Sequence, residues 1–225
     1  MTKRLEGKRV LVTQADDYMG PAIIDMFSKH GAEIIEDRSD LTVPDAAAKA
    51  VSDAGHVDVL MANLAADARF GVPILETDQE AWSSMFDIMV HPLHRLTQAV
   101  LPQMIERRKG KIIVVGSATG LRGMAGVTAY SSARHAQVGY IRSTALEVAQ
   151  FNVQLNLIAQ NWVENPAYFP PEFVATPEFQ EVFKTVPMPR LATPEEDALF
   201  ALFLASDESD FFVGQAIPFS GGWVQ

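Results

Sequence analysis

The chain has no cysteine. That excludes disulfides, a thiolate nucleophile and cysteine-ligated metal together. Positive charge is also scarce: 18 Lys and Arg stand against 28 Asp and Glu, a formal charge of −10. Such a surface does not suit a partner that presents a phosphate backbone, so no nucleic-acid partner is expected. The one compact basic run, Arg107-Arg108-Lys109, precedes a strand and reads as a solvated loop. No apolar run approaches the ~18–20 residues of a membrane span. The opening Met1-Thr2-Lys3-Arg4-Leu5-Glu6 lacks the apolar core of a secretion signal. A soluble, cytoplasmic protein without a membrane partner is expected. Among the histidines only His91 and His94 share a helical face, and with no third ligand beside them no metal is expected.

What the sequence does have is alternation. Arg9–Thr13 reads as a buried strand, Pro21–His30 as a helix closed by Gly31, and Glu33–Glu36 as a second strand. The pattern continues through Val57–Ala62, Trp82–Arg107, Lys111–Gly116, Tyr130–Gln150, Val153–Ala159, Glu195–Ala205 and Ala216–Phe219. Apolar strands separated by helices predict an α/β fold, a doubly wound parallel sheet with helices on both faces. No repeat, low-complexity segment or Gly/Ser linker divides the 225 residues, so 1–225 reads as a single domain. Residues 160–189 lack periodicity and read as a loop excursion over the substrate. In such sheets ligands bind beyond the carboxyl ends of the strands. Tyr18, Asn63, Ser117 and the loop from Gln160 onward all occupy that edge.

Tyr130 and Arg134 lie one helical turn apart on a shared face. A phenol titrates at about 10, and a nearby cation favours its ionised form. Ser117, at a strand end, is placed to hold a substrate oxygen while Tyr130 takes its proton. The turn after the first strand, Thr13-Gln14-Ala15-Asp16-Asp17-Tyr18-Met19-Gly20, has the position of a dinucleotide loop but keeps only its last glycine. Such a loop needs glycines so that backbone can approach pyrophosphate at a helix N-terminus. Here Tyr18 is expected to fill the vacated channel, Asp16 or Asp17 to cap the helix, and Gly20 to serve helix–strand packing. Glu36 or Asp37 stands where a ribose-binding acid would, a role that depends on the glycines this turn lacks.

Together with Gly7-Lys8-Arg9-Val10-Leu11-Val12-Thr13, Val57–Asn63, Lys111–Ser117, Tyr130-Ser131-Ser132-Ala133-Arg134, Pro189–Glu196 and Ser220-Gly221-Gly222-Trp223, these residues resemble the short-chain dehydrogenase/reductase superfamily along nearly the whole chain. The resemblance implies a Rossmann-like domain. Reductases of that superfamily carry lysine where Arg134 stands, and the asparagine of their proton relay is missing from Ser84–Val90. Ser-Tyr-Arg beside an aromatic in the degenerate loop is similar to the halohydrin dehalogenases, a cofactor-free branch. The segment from Ala159 to Pro170 resembles the loop that forms their halide site.

That likeness implies conversion of vicinal haloalcohols to epoxides, halide and a proton, with the reverse ring opening by azide, cyanide or nitrite. It implies no cofactor and catalysis by Ser117, Tyr130 and Arg134. The implied halide site comprises Tyr18, Gln160, Asn161, Trp162 and Val163, with loop N–H groups as anion donors and Tyr18 as an apolar wall. The expected substrate pocket is lined by Thr119, Met124, Tyr168 and Phe169. A homotetramer is implied, with Trp82–Arg107 and Tyr130–Gln150 forming one contact. The alternatives are a divergent NAD(P)-dependent short-chain reductase and a catalytically silent binding protein.

Overall fold

The computed structural model describes residues 3–225. Six strands, β1 (Arg9–Val12), β2 (Glu33–Glu36), β3 (Val59–Asn63), β4 (Gly110–Val115), β5 (Val153–Gln160) and β6 (Ala216–Phe219), pair in parallel in the order β2-β1-β3-β4-β5-β6. The helices are α1 (Gly20–Lys29), α2 (Ala46–Ala54), α3 (Gln79–Met89), α4 (His91–Arg107), α5 (Thr128–Val148), α6 (Pro171–Val174), α7 (Pro177–Phe183) and α8 (Pro194–Ala205). The fold is the expected Rossmann-like α/β sheet.

Alternation along each strand divides the core in two. Leu11, Leu60, Ile112, Val114 and Leu155 pack with Val51 of α2, Leu96 and Val100 of α4 and Ile141 of α5 on one face. Val10, Val12, Val59, Met61, Ile113 and Val115 pack with Ile23 and Phe27 of α1 and Ala201 and Leu202 of α8 on the other. Strand β4 is buried at all six positions, whereas the edge strand β2 is not buried at any. This is the burial expected of a parallel sheet covered on both sides.

Three expectations need correction. The long helix Trp82–Arg107 is two helices meeting at Val90, because Pro92 in the first turn of α4 has no N–H to continue the ladder of α3. Helix α2 lies in a stretch given no element by periodicity. Residues 160–189 are not one irregular loop, since they contain α6 and α7, the latter capped by Thr176 Oγ1 accepting from Phe179 N. Among the described residues no helix is long and apolar enough to cross a membrane.

The chain leaves β1 outward to β2 and then returns to β3, so strand order reverses between β1 and β3. Gln14, Asn63, Ser117 and Gln160 follow or end four neighbouring strands along this carboxyl edge.

Candidate active site

The turn after β1 keeps the backbone of a glycine-rich loop without the glycines. Gln14 and Tyr18 both have positive φ, 44° and 50°, in the left-handed region that glycine enters most easily. The Gln14 side chain reaches the chain after β3, donating to Ala65 O at 3.1 Å and accepting from Ala65 N at 2.8 Å. Asn63 Nδ2 closes the other side by donating to the carbonyls of Gln14 and Asp17, each at 3.0 Å. Gly20 is required because a Cβ there would collide with the carbonyl oxygens of Gln14 and Ala15. Its constraint is thus close approach within its own turn rather than helix–strand packing. Neither aspartate caps α1: Met19 occupies the cap position, and Asp16 instead accepts from Arg38 at 2.6 and 2.9 Å.

Tyr130 is the third residue of α5, and Arg134 follows one turn later with both side chains buried. The Arg134 guanidinium carbon lies 4.9 Å from the Tyr130 ring centroid. Its Nη1 donates to Leu64 O (2.9 Å), Val115 O (3.1 Å) and Gln137 Oε1 (2.9 Å), fastening α5 to the ends of β3 and β4. Gln137 in turn donates to Met89 O, at the end of α3. No carboxylate pairs with Arg134 among the described residues, and its Nε has no partner. Burial opposes its charge, yet attraction to the Tyr130 and Tyr168 phenols holds its pKa above the ordinary value. Ser117 Oγ accepts from Thr119 N at 3.2 Å and shares a 2.9 Å hydrogen bond with Thr119 Oγ1.

Ser117, Thr119 and Tyr130 meet at a cavity of about 50 Å³, room for a few waters, with Arg134 behind the Tyr130 ring and outside the lining. Ser117, Thr119, Met124, Tyr130, Gln160, Asn161, Trp162, Val163, Tyr168 and Phe169 all line it. Tyr18 does not. It lines a wider cleft of about 580 Å³ with Gln14, Asp16, Arg38 and Ala66, and it meets the smaller cavity only through Tyr168, whose ring centroid is 5.2 Å away. Tyr168 donates to Ala66 O at 2.7 Å. Burial pushes its phenol well above the usual value, with the Tyr130 phenol adding to the rise. Burial, then Asp17, raises Tyr18 as well.

The loop after β5 spends part of its expected donor set internally. Asn161 N donates to Phe219 O at 2.9 Å, and Trp162 N donates to Asn161 Oδ1 at 3.0 Å. Val163 N–H has no partner among the described residues, and neither has the buried Trp162 indole N–H. The indole is held by Phe169, Phe179, Phe183 and Trp223, with ring centroids 5.6–6.2 Å away. The asparagine therefore orders the loop but consumes one of its N–H groups.

Met19, Phe70, Gly116 and Asn165 also line the cavity and were not anticipated. Asn165 carried a readable signal: with Pro166 after it, its Oδ1 accepts from Ala167 N at 2.8 Å and turns the loop back. Asp197, in the first turn of α8, had none. It is completely buried, unpaired with any cation, and raised to about 7 by burial alone. Among the described residues no group of three or more His, Asp or Glu could hold a metal ion.

Dinucleotide binding would need free N–H groups at this turn and space beside Tyr130. Ala15 N and Asp17 N donate to Asp37 O and Gln14 O, and Gly20 N to Asp17 O, whereas the N–H groups of Asp16, Tyr18 and Met19 have no partner among the described residues. The Gln14 bridge and the Tyr18 ring occupy the turn, and the cavity at Tyr130 is too small for a nicotinamide with its ribose. The space beside Tyr130 therefore does not fit the nicotinamide end of that group, whereas the cleft beside Gln14 and Arg38 is open.

Residues 4–224 match a family described as "Enoyl-(Acyl carrier protein) reductase". The chain belongs to the short-chain dehydrogenase/reductase superfamily and is an enzyme of that class. It is similar to 3-oxoacyl-[acyl-carrier-protein] reductase FabG of Thermotoga maritima, 30% identical over 249 residues that cover 98% of this chain and 99% of that protein. Oxidoreductase UcpA of Salmonella typhimurium is 32% identical over 256 residues, covering 97% and 95%. A solved structure described as "Dehalogenation enzyme" aligns with a TM-score of 0.87 at 31% identity, covering 98% of this chain and 100% of that one.

Proposed function

We propose that the protein is a cofactor-independent halohydrin dehalogenase, a carbon–halide lyase that converts vicinal haloalcohols to epoxides. One observation carries this reading: Ser117 and Tyr130 meet at a small cavity with the buried Arg134, free of any carboxylate partner, behind the Tyr130 ring, while Gln14 and Tyr18 stand in the turn where a dinucleotide loop carries glycines. The likeness to a structure described as a dehalogenation enzyme supports it.

Ser117 holds the substrate hydroxyl, its Oγ already oriented by Thr119. Tyr130 as phenolate takes the hydroxyl proton. The alkoxide lone pair forms the new C–O bond to the adjacent carbon as the C–X bond breaks, and halide leaves with that electron pair. Arg134 balances the phenolate charge. Halide is received by the unpartnered Val163 and Trp162 N–H groups and by the Gln160 and Asn161 amides, with Tyr18 backing the wall through Tyr168. Thr119, Met124, Tyr168 and Phe169 shape the space for substrate. In reverse, Tyr130–H protonates the opening epoxide as azide, cyanide or nitrite attacks. The working unit is a homotetramer built in part on α4 and α5, a state that sedimentation would test.

The test is halide release and acidification from a simple vicinal bromoalcohol, with purified protein and no nucleotide. Stoichiometric epoxide is the expected result. A second reading, a divergent NAD(P)-dependent reductase, is favoured by the reductase names of the curated relatives and by the 580 Å³ cleft. Inertness toward several haloalcohols together with nicotinamide-nucleotide binding would establish it instead.

A further inference from the structure

Gln160, the last residue of β5, lines the small cavity. Behind it lies Asp197. With its amide nitrogen turned inward, Gln160 donates to the two Asp197 oxygens at 3.1 and 3.2 Å. No other hydrogen-bond partner of the Asp197 carboxylate exists among the described residues. We propose that Asp197 is a positioning residue for the anion end of the cavity: by pairing with Gln160 it decides whether that amide presents its NH₂ or its carbonyl oxygen to a bound anion. The inference rests on the dehalogenase reading of that cavity.

The chemistry follows from what each partner can donate. Ionised Asp197 only accepts, so it draws the Gln160 NH₂ inward and leaves the carbonyl oxygen facing an anion, which repels it. Protonated Asp197 donates to the Gln160 carbonyl, and the amide NH₂ is free to turn outward. The carboxylate also adds a negative charge behind the site. Burial raises Asp197 to about 7, so both forms are populated near neutrality.

No other charge interferes at close range. From α1, β4 and β5 the side chains around Asp197 include the apolar Ile23, Ile113 and Ile158, and the one cation entering this face from β4, Lys111, is paired with Asp210 beyond the far end of α8. On α8 itself, Glu195 is exposed and Glu196 is paired with Arg190. Beyond the far end of α8, Asp207 and Glu208 are paired with Lys8 and Arg4.

Bromide titration followed by isothermal calorimetry tests this without turnover. In the unmodified protein, bromide affinity should weaken roughly tenfold between about pH 6 and pH 8.5, the scale of one added charge acting across the site. Asp197→Asn, which donates at every pH, should bind bromide tightly throughout, and Gln160→Met weakly throughout. Circular dichroism of each variant confirms the fold. An Asp197→Asn variant that titrates like the unmodified protein would overturn the proposal and leave the dehalogenase reading standing, as would a flat profile in the unmodified protein. Absence of bromide binding in all three proteins at every pH would overturn both.

Discussion

Two depressions lie along the carboxyl edge of the sheet, and the larger has the poorer chemistry. The cleft of about 580 Å³ beside Gln14, Asp16 and Arg38 is broad, and its one cation, Arg38, is spent on Asp16 and on Glu36 outside the lining, which leaves Asp17, Asp40 and Asp67 as uncompensated acids. The cavity of about 50 Å³ gathers a serine, a phenol above a buried guanidinium, and two N–H groups with no partner. Volume records where the fold class leaves space. Reactivity follows the convergence of polar groups whose hydrogen bonds are incomplete.

The contrast is broken most severely by Tyr130→Phe. Removing the proton acceptor should lower halide release about 10³-fold with the circular dichroism spectrum unchanged, and full activity would abolish the reading. The next effect concerns Asp197 and stability. Its folded pKa of about 7 lies above the ordinary 3.8, so the folded state holds the proton more tightly. Stability is therefore greatest below the unfolded value and falls as pH rises through about 4 to 7. Asp197→Asn should be more stable than the unmodified protein at pH 8, by up to about 4 kcal/mol, and lose that advantage by about pH 4. Thermal melts across that range would show it.

Opening the wall between the depressions is a smaller perturbation. Tyr18→Gly removes the ring behind Tyr168 and should weaken bromide affinity about tenfold, roughly the loss of one buried aromatic contact. If the same variant instead gained tight nicotinamide-nucleotide binding, as isothermal calorimetry would reveal, the functional separation of the two spaces would be lost. Tyr168→Phe is the mildest change. It keeps the ring against Tyr18 but leaves Ala66 O without its donor, at a cost of about 1 kcal/mol in denaturant unfolding and a few-fold in turnover.

Much of this was legible in sequence because it depends on local pattern. Strand positions followed from apolar runs, and Ser117 at a strand end and Tyr130 and Arg134 at a helix start were placed by local pattern, while grouping them as a candidate site came mainly from the family resemblance. The break at Val90 was written in His91-Pro92, but proline suits a helix's first turn and its restart reads like continuation. Helix α2 was hidden by its nine-residue length and a stretch of small alanines. Arg134's anchoring could not be read, since two of its acceptors are backbone carbonyls. Asp197 was masked by its neighbours, because Glu195-Glu196-Asp197 after Pro194 looks like acid placed to complement a helix dipole.

The left-handed backbone at Gln14 and Tyr18 bears on how this protein can change. A side chain held at such an angle costs on the order of 1–2 kcal/mol compared with the ordinary helical conformation, a penalty glycine escapes. Substitution by glycine at either position removes that penalty while emptying the turn. Only the contacts of the Gln14 amide and the Tyr18 ring offset that backbone cost, so the turn's shape is held by side chains rather than by backbone preference.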